Sequence, residues 1–176
     1  MTQIAGKGVT QVMQRCEEAK STGFLDLSNC GLMYIADAIY LVLKGYQINK
    51  CNLRSNSLKN FPKKMIEKFD NMILFNIEGN KISELPNEIS KWILLKGLNI
   101  ANNNFNEFPD VLYCLKELTF LDISNNSIKE IDADRLYKEL LNLKQLYLNN
   151  NPINETSKHN LLNNTNKPKN LNIIFD

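Results

Sequence analysis

Five side chains in this sequence could serve as a nucleophile, a general base or a soft metal ligand: the single histidine, His159, and the cysteines Cys16, Cys30, Cys51 and Cys114. Their spacing does not assemble a site. His159 lies in the polar run NETSKHNLLNNTNKPKN, which reads as a loop. The thiols are scattered, with neither the paired spacing of a zinc site nor the clusters that staple secreted domains. GKGVT at 6–10 resembles a phosphate-binding loop only superficially. That motif needs GxxxxGK and then Ser or Thr after a strand, whereas here Lys7 precedes Gly8. No catalysis, cofactor, metal or small-molecule substrate is expected. Sequons begin at Asn125, Asn154 and Asn163, but chance supplies such short patterns in a chain with 27 asparagines, and only a secreted protein could use them.

Composition points to binding rather than chemistry. At 176 residues with 43% hydrophobic content, one domain with a sizeable core is expected. A net charge of +2 with three arginines gives little support for nucleic-acid binding. The opening MTQIAGKGVT lacks the apolar core of a secretory signal, and no run approaches the roughly 20 apolar residues that cross a bilayer. The expectation is a soluble, cytoplasmic protein, with the nucleus as the other compartment allowed.

The elements that would position any site come from an internal repeat. FNIEGNKISELPNEI, residues 75–89, mixes a short apolar alternation with Gly79, Asn80 and Pro86. The same frame, LxLxxNxLxxLP, recurs six times, starting at Leu25, Cys51, Phe75, Leu98, Leu121 and Leu146, with spacings of 26, 24, 23, 23 and 25. A period of roughly 20 to 29 residues is that of a solenoid whose coils each begin with a short strand. The frame asparagines Asn56, Asn80, Asn103, Asn126 and Asn151 carry both donor and acceptor atoms, so they can bond the backbone of their own and the adjacent coil. Cys30 replaces the first of them, at an edge coil with only one neighbour. After each strand, apolar residues fall at spacings of three and four: Met65, Phe69, Met72; Ile89, Trp92, Leu95; Leu112, Leu115, Leu118; Leu136, Leu140, Leu143. These predict a short helix or 3-10 segment on the outer face, with Trp92 packed inward.

The segment LPNEISKWILLKGLNIANNNFNEFPDVL resembles the leucine-rich-repeat family with the medium-length LPxxI unit, and the resemblance spans roughly residues 20–153. It implies an α/β solenoid: a horseshoe with short parallel concave strands and helical or 3-10 convex segments. It also implies an intracellular interaction scaffold without enzymatic activity. Both ends of such a stack expose core and need lids. Residues 1–22 are expected to be an amino-terminal capping helix, with Val9, Val12, Met13 and Cys16 as its apolar stripe; a helix that docks on a partner is the alternative. Residues 23–153 hold the six repeats, and 154–176 a carboxy-terminal cap: a loop held by Leu161 and Leu162, then a last strand with Leu171 and Ile173 whose edge Asp176 would guard.

Strand side chains alternate, so the residues between the core pairs face the concave surface. The central column is Asp26, Asn52, Asn76, Asn99, Asp122 and Tyr147. Arg54 and Glu78 stand in the next column, and Leu74 and Phe120 are apolar candidates in the preceding one. The expected function is a scaffold binding a protein partner through this face, with the chain itself monomeric. Asp26, Asn52, Arg54, Asn76, Glu78, Asn99, Asp122 and Tyr147 are its contact residues. The competing interpretations are a cross-strand ion pair for Arg54 and Glu78, and simple packing for Tyr147. The alternative function is a subunit of a ribonucleoprotein or axonemal complex.

Overall fold

The structure, a computed structural model, describes residues 2–175, with side chains from residue 8 onward. Seven three-residue strands form one parallel sheet in sequence order: β1 (Phe24–Asp26), β2 (Lys50–Asn52), β3 (Leu74–Asn76), β4 (Gly97–Asn99), β5 (Phe120–Asp122), β6 (Gln145–Tyr147) and β7 (Asn172–Ile174). Their register is the one the frame dictates, aligning Leu25, Cys51, Phe75, Leu98, Leu121 and Leu146 as one buried row. The returns across the outer face are α2 (Asp37–Val42), α3 (Lys64–Lys68), the 3-10 segments η1 (Asn87–Lys91) and η2 (Asp110–Cys114), and α4 (Ala133–Glu139). Their apolar residues close on the strands, and all twelve residues of the predicted inward series are buried. Trp92 is fully buried against Phe75 and donates its indole N–H to the Phe69 carbonyl at 2.8 Å.

The asparagines form the expected ladder. Asn103 Nδ2 donates to the carbonyls of Ile77 in the previous coil and Ile100 in its own, while its Oδ1 accepts from Ile82 N at 2.9 Å. Asn56, Asn80, Asn126 and Asn151 repeat this pattern. The residue before each rung has a left-handed backbone: Asn29, Ser55, Gly79, Asn102, Asn125 and Asn150, with φ between 52° and 66°. Glycine and asparagine tolerate that region best, which explains the Gly79–Asn80 pair of the repeat.

The two ends differ from the expectations in detail. Helix α1 (Thr2–Thr22) buries Cys16 and Ala19 and packs Val12 against the core, but Val9 is 64% exposed, so the first member of the expected stripe does not help to cap the stack. Arg15 on this helix donates to the carbonyls of Asp26 and Ser28, at 3.2 and 2.6 Å. The equivalent carbonyls one coil on, Asn52 and Arg54, accept from Leu27 N and Asn29 N. One guanidinium thus replaces two N–H donors of a preceding coil. Its third contact, at 3.3 Å, is the Cys30 thiol that stands where a rung asparagine would.

At the other end, the segment expected as a loop is helix α5 (Glu155–Asn163). Asn154 caps it by accepting from Ser157 N, and the Ser157 hydroxyl bridges Ile131 N and O. Local capping outweighs the polar composition. Helical rotation then buries Leu161 fully and leaves Leu162 44% exposed, so only the first leucine anchors the segment. Ile173 is half-buried in β7, and the edge role expected of Asp176 lies outside the described residues.

Candidate functional site

The concave face is built by register. Asp26, Asn52, Asn76, Asn99, Asp122 and Tyr147 lie side by side, one per strand, each half-buried. The five Asp and Asn residues share a constraint that alternation alone does not reveal. In each, Oδ1 accepts from the backbone N–H two residues on: Ser28, Arg54, Glu78, Ala101 and Ser124. These turns end each strand and fix the side-chain rotamer. They also orient the amides, because a backbone N–H can bond only the oxygen, so Nδ2 of Asn52, Asn76 and Asn99 must face away from the turn.

The flanking column is tied up more heavily. Arg54 pairs with Glu78 at 3.3 Å, and the Glu78 carboxylate also accepts from Asn99 Nδ2 at 3.1 Å and Asn102 Nδ2 at 3.5 Å. Glu78 is only 19% exposed in its side chain, so most of its bonding capacity is taken up within the face. Arg54, at 55%, keeps much of its guanidinium in solvent. Tyr147 packs against Phe120 in a tilted arrangement, with ring centres 5.5 Å apart. The structure thus brings the predicted residues onto one surface and contains both competing contacts, the ion pair and the aromatic packing.

Sequence reasoning gave too little weight to the preceding column. Phe24 and Leu74 are 42% and 44% exposed, and Leu74 leans over Gly97, where an added Cβ would sit 2.6 Å from its Cδ2. Gly97 is the only glycine in this column, and that is the signal that could have marked the spot. Together with Lys50, Asn52, Asn76 and Phe120 these residues line an open concavity of about 530 Å³.

The residues with reactive chemistry stay apart from it. His159 is exposed on α5, beside Asn163. Burial pushes the Cys16 and Cys51 thiols up, and Cys30 likewise, with Arg15 pulling the other way. Cys114 is exposed on η2. Among the described residues no three His, Cys, Asp or Glu side chains group as a metal site, and no helix is long and apolar enough to cross a membrane.

Comparisons with known proteins agree with the architecture. The family model described as Leucine Rich repeats (2 copies) matches residues 116–161. Leucine-rich repeat-containing protein 20 is 33% identical over 94 residues in Mus musculus and 32% in Homo sapiens, covering 51% of this chain and 51% of each relative. The chain thus aligns with about half the length of the curated relatives it matches. Among solved structures, a leucine-rich-repeat protein of Leptospira interrogans superposes with a TM-score of 0.69 at 26% identity, over 82% of this chain and 34% of that one. An internalin of Listeria monocytogenes gives 0.67 at 19% identity, over 86% and 40%, a likeness of fold alone. By its repeated frame, its in-order parallel sheet and these matches, the chain is a leucine-rich-repeat solenoid similar over half its length to leucine-rich repeat-containing protein 20.

Proposed function

We propose that this chain is a monomeric, non-enzymatic scaffold that holds a segment of another protein on its concave sheet face. A leucine-rich-repeat fold serves in general as a protein-interaction scaffold, and the finer assignment is supported above all by one observation. The concave columns present exposed large apolar side chains, Phe24 and Leu74, among polar groups whose rotamers are already fixed by strand-end turns. Rigid polar groups around an apolar centre lower the ordering cost of binding. Arg54 and Tyr147 supply the side-chain types enriched at binding hot spots. A reducing compartment, cytoplasm or nucleus, suits the free thiols Cys16 and Cys51, both buried in the core.

The test is crosslinking and affinity capture from native cells with the wild type and an Arg54→Ala/Tyr147→Ala double variant, each with and without nuclease. A protein lost from the variant and retained after nuclease supports the concave scaffold. Equal capture by both proteins refutes it, and loss on nuclease treatment alone favours the ribonucleoprotein alternative.

A further inference from the structure

The concavity over β2 to β4 has a one-sided polarity. Of the side chains that line it, the single charged one is Lys50, which is exposed and has no acidic partner among the described residues. Asn52 and Asn76 have their oxygens committed to Arg54 N and Glu78 N, so what they offer is the Nδ2 donor, with no acceptor in reach among the described residues. Glu78 lies outside the lining, and its carboxylate is held by Arg54 and Asn99. The rim is therefore richer in free donors than in acceptors: each of these two amides has both N–H groups free, and its oxygen has one lone pair already used. Its centre is apolar, because the Leu74 side chain lies over Gly97 beside Phe120 and is itself 44% exposed.

We propose that this notch selects a protein segment carrying a large apolar side chain close to a carboxylate. The apolar group seats against the exposed side of Leu74 and Phe120, and the carboxylate meets Lys50 and the amide donors of Asn52 and Asn76. The proposal rests on the concave-scaffold reading and supplies the chemistry of its partner. The spacing follows from the sheet. Lys50 and Gly97 are two strands apart in register, about 10 Å at the usual strand separation, which an extended segment spans in about three residues. Complementary charge sets register and discriminates against the wrong partner, since a basic segment would bring a cation against Lys50 and leave the amide donors unmet.

The probe is a panel of short Gly/Ser peptides, each with one Leu and, about three residues away, Glu, Gln or Lys. Binding is read by fluorescence anisotropy, with oligouridylate in parallel and sedimentation to report self-association. The Glu peptide is expected to bind about fivefold tighter than the Gln peptide, the upper range for a solvent-accessible charge pair, and the Lys peptide weakest. Lys50→Glu should invert that order, and Leu74→Ser should weaken all three. Lys50→Glu changes one exposed side chain, so the test survives if Leu74→Ser fails to fold.

An order unchanged by Lys50→Glu overturns the notch, as does a panel that does not bind at all. Binding of oligouridylate in preference to every peptide overturns it too, as does a wild-type dimer dissolved by Leu74→Ser. Binding abolished by Arg54→Ala/Tyr147→Ala but indifferent to Lys50 and Leu74 would overturn the notch while leaving the scaffold reading intact.

Discussion

Replacing Asn103 by alanine removes four hydrogen bonds, and the structure shows which loss matters. The carbonyls of Ile77, Ile100 and Ala101 lose the Asn103 amide but keep other donors: Asn80 Nδ2, Asn126 Nδ2 and Gly79 N. Ile82 N loses Oδ1, its acceptor at 2.9 Å, in a buried position. An orphaned buried N–H costs about 1 to 3 kcal/mol, and the amide's own bonds contribute about 1 more, so stability should fall by about 2 to 4 kcal/mol. For a chain of this length that lowers the melting midpoint on the order of 10 °C. Urea unfolding followed by fluorescence of Trp92, the lone tryptophan, measures it directly. Asn87→Ala, on the exposed first residue of η1, is the control and should stay within about 0.5 kcal/mol. Similar values for the two variants would refute the ladder as a stabilising element.

The amino-terminal edge is testable in the same terms: Arg15→Ala should leave the Asp26 carbonyl unmet and the Ser28 carbonyl with only the weak Cys30 thiol donor, cost about 1 to 3 kcal/mol, and speed amide exchange around β1 before β4. Uniform exchange across the sheet would contradict that edge role. Trp92→Phe keeps the aromatic packing but strips the buried Phe69 carbonyl of its 2.8 Å donor, so chemical denaturation should show a loss of about 1 to 3 kcal/mol. Near-zero change would mean that the carbonyl finds water. Thiol titration with a disulfide reagent at mildly alkaline pH should show Cys114 reacting quickly in the native state. Cys16 and Cys51 should wait for unfolding, because burial both blocks access and raises their pKa, keeping them protonated at pH values where an ordinary thiol ionises. Fast native reaction of Cys51 would show that the core opens.

The edges show how one residue type can be asked to do different work. Asparagine stands at the rungs, at left-handed positions such as Asn102 and Asn125, and in the strand-end turns of Asn52, Asn76 and Asn99. Its short amide suits all three, since it bonds local backbone in either direction and tolerates positive φ. Much of the asparagine excess is therefore the local chemistry of turning the chain once per coil.

The six frames, the inward row of strand residues, the helical beat with Trp92 inside, and the composition of the concave columns all follow from period and alternation. Those patterns are local, and stacking merely repeats them. Three features required the folded chain. Helix α5 appears in a run whose composition reads as a loop; its Asn154 cap is local, but the Ser157 hydroxyl fastens it to Ile131, far off in sequence. Arg15 finds its carbonyls only because α1 lies against the first strand. The donor-rich notch depends on how each Asn amide is turned, on Glu78 being drawn off by Arg54 and Asn99, and on Leu74 leaning over Gly97. Repetition along the chain sets which face each residue takes. What that residue still has free to offer is set by neighbours one coil away, and side chains about 24 positions apart meet only once the coils are stacked.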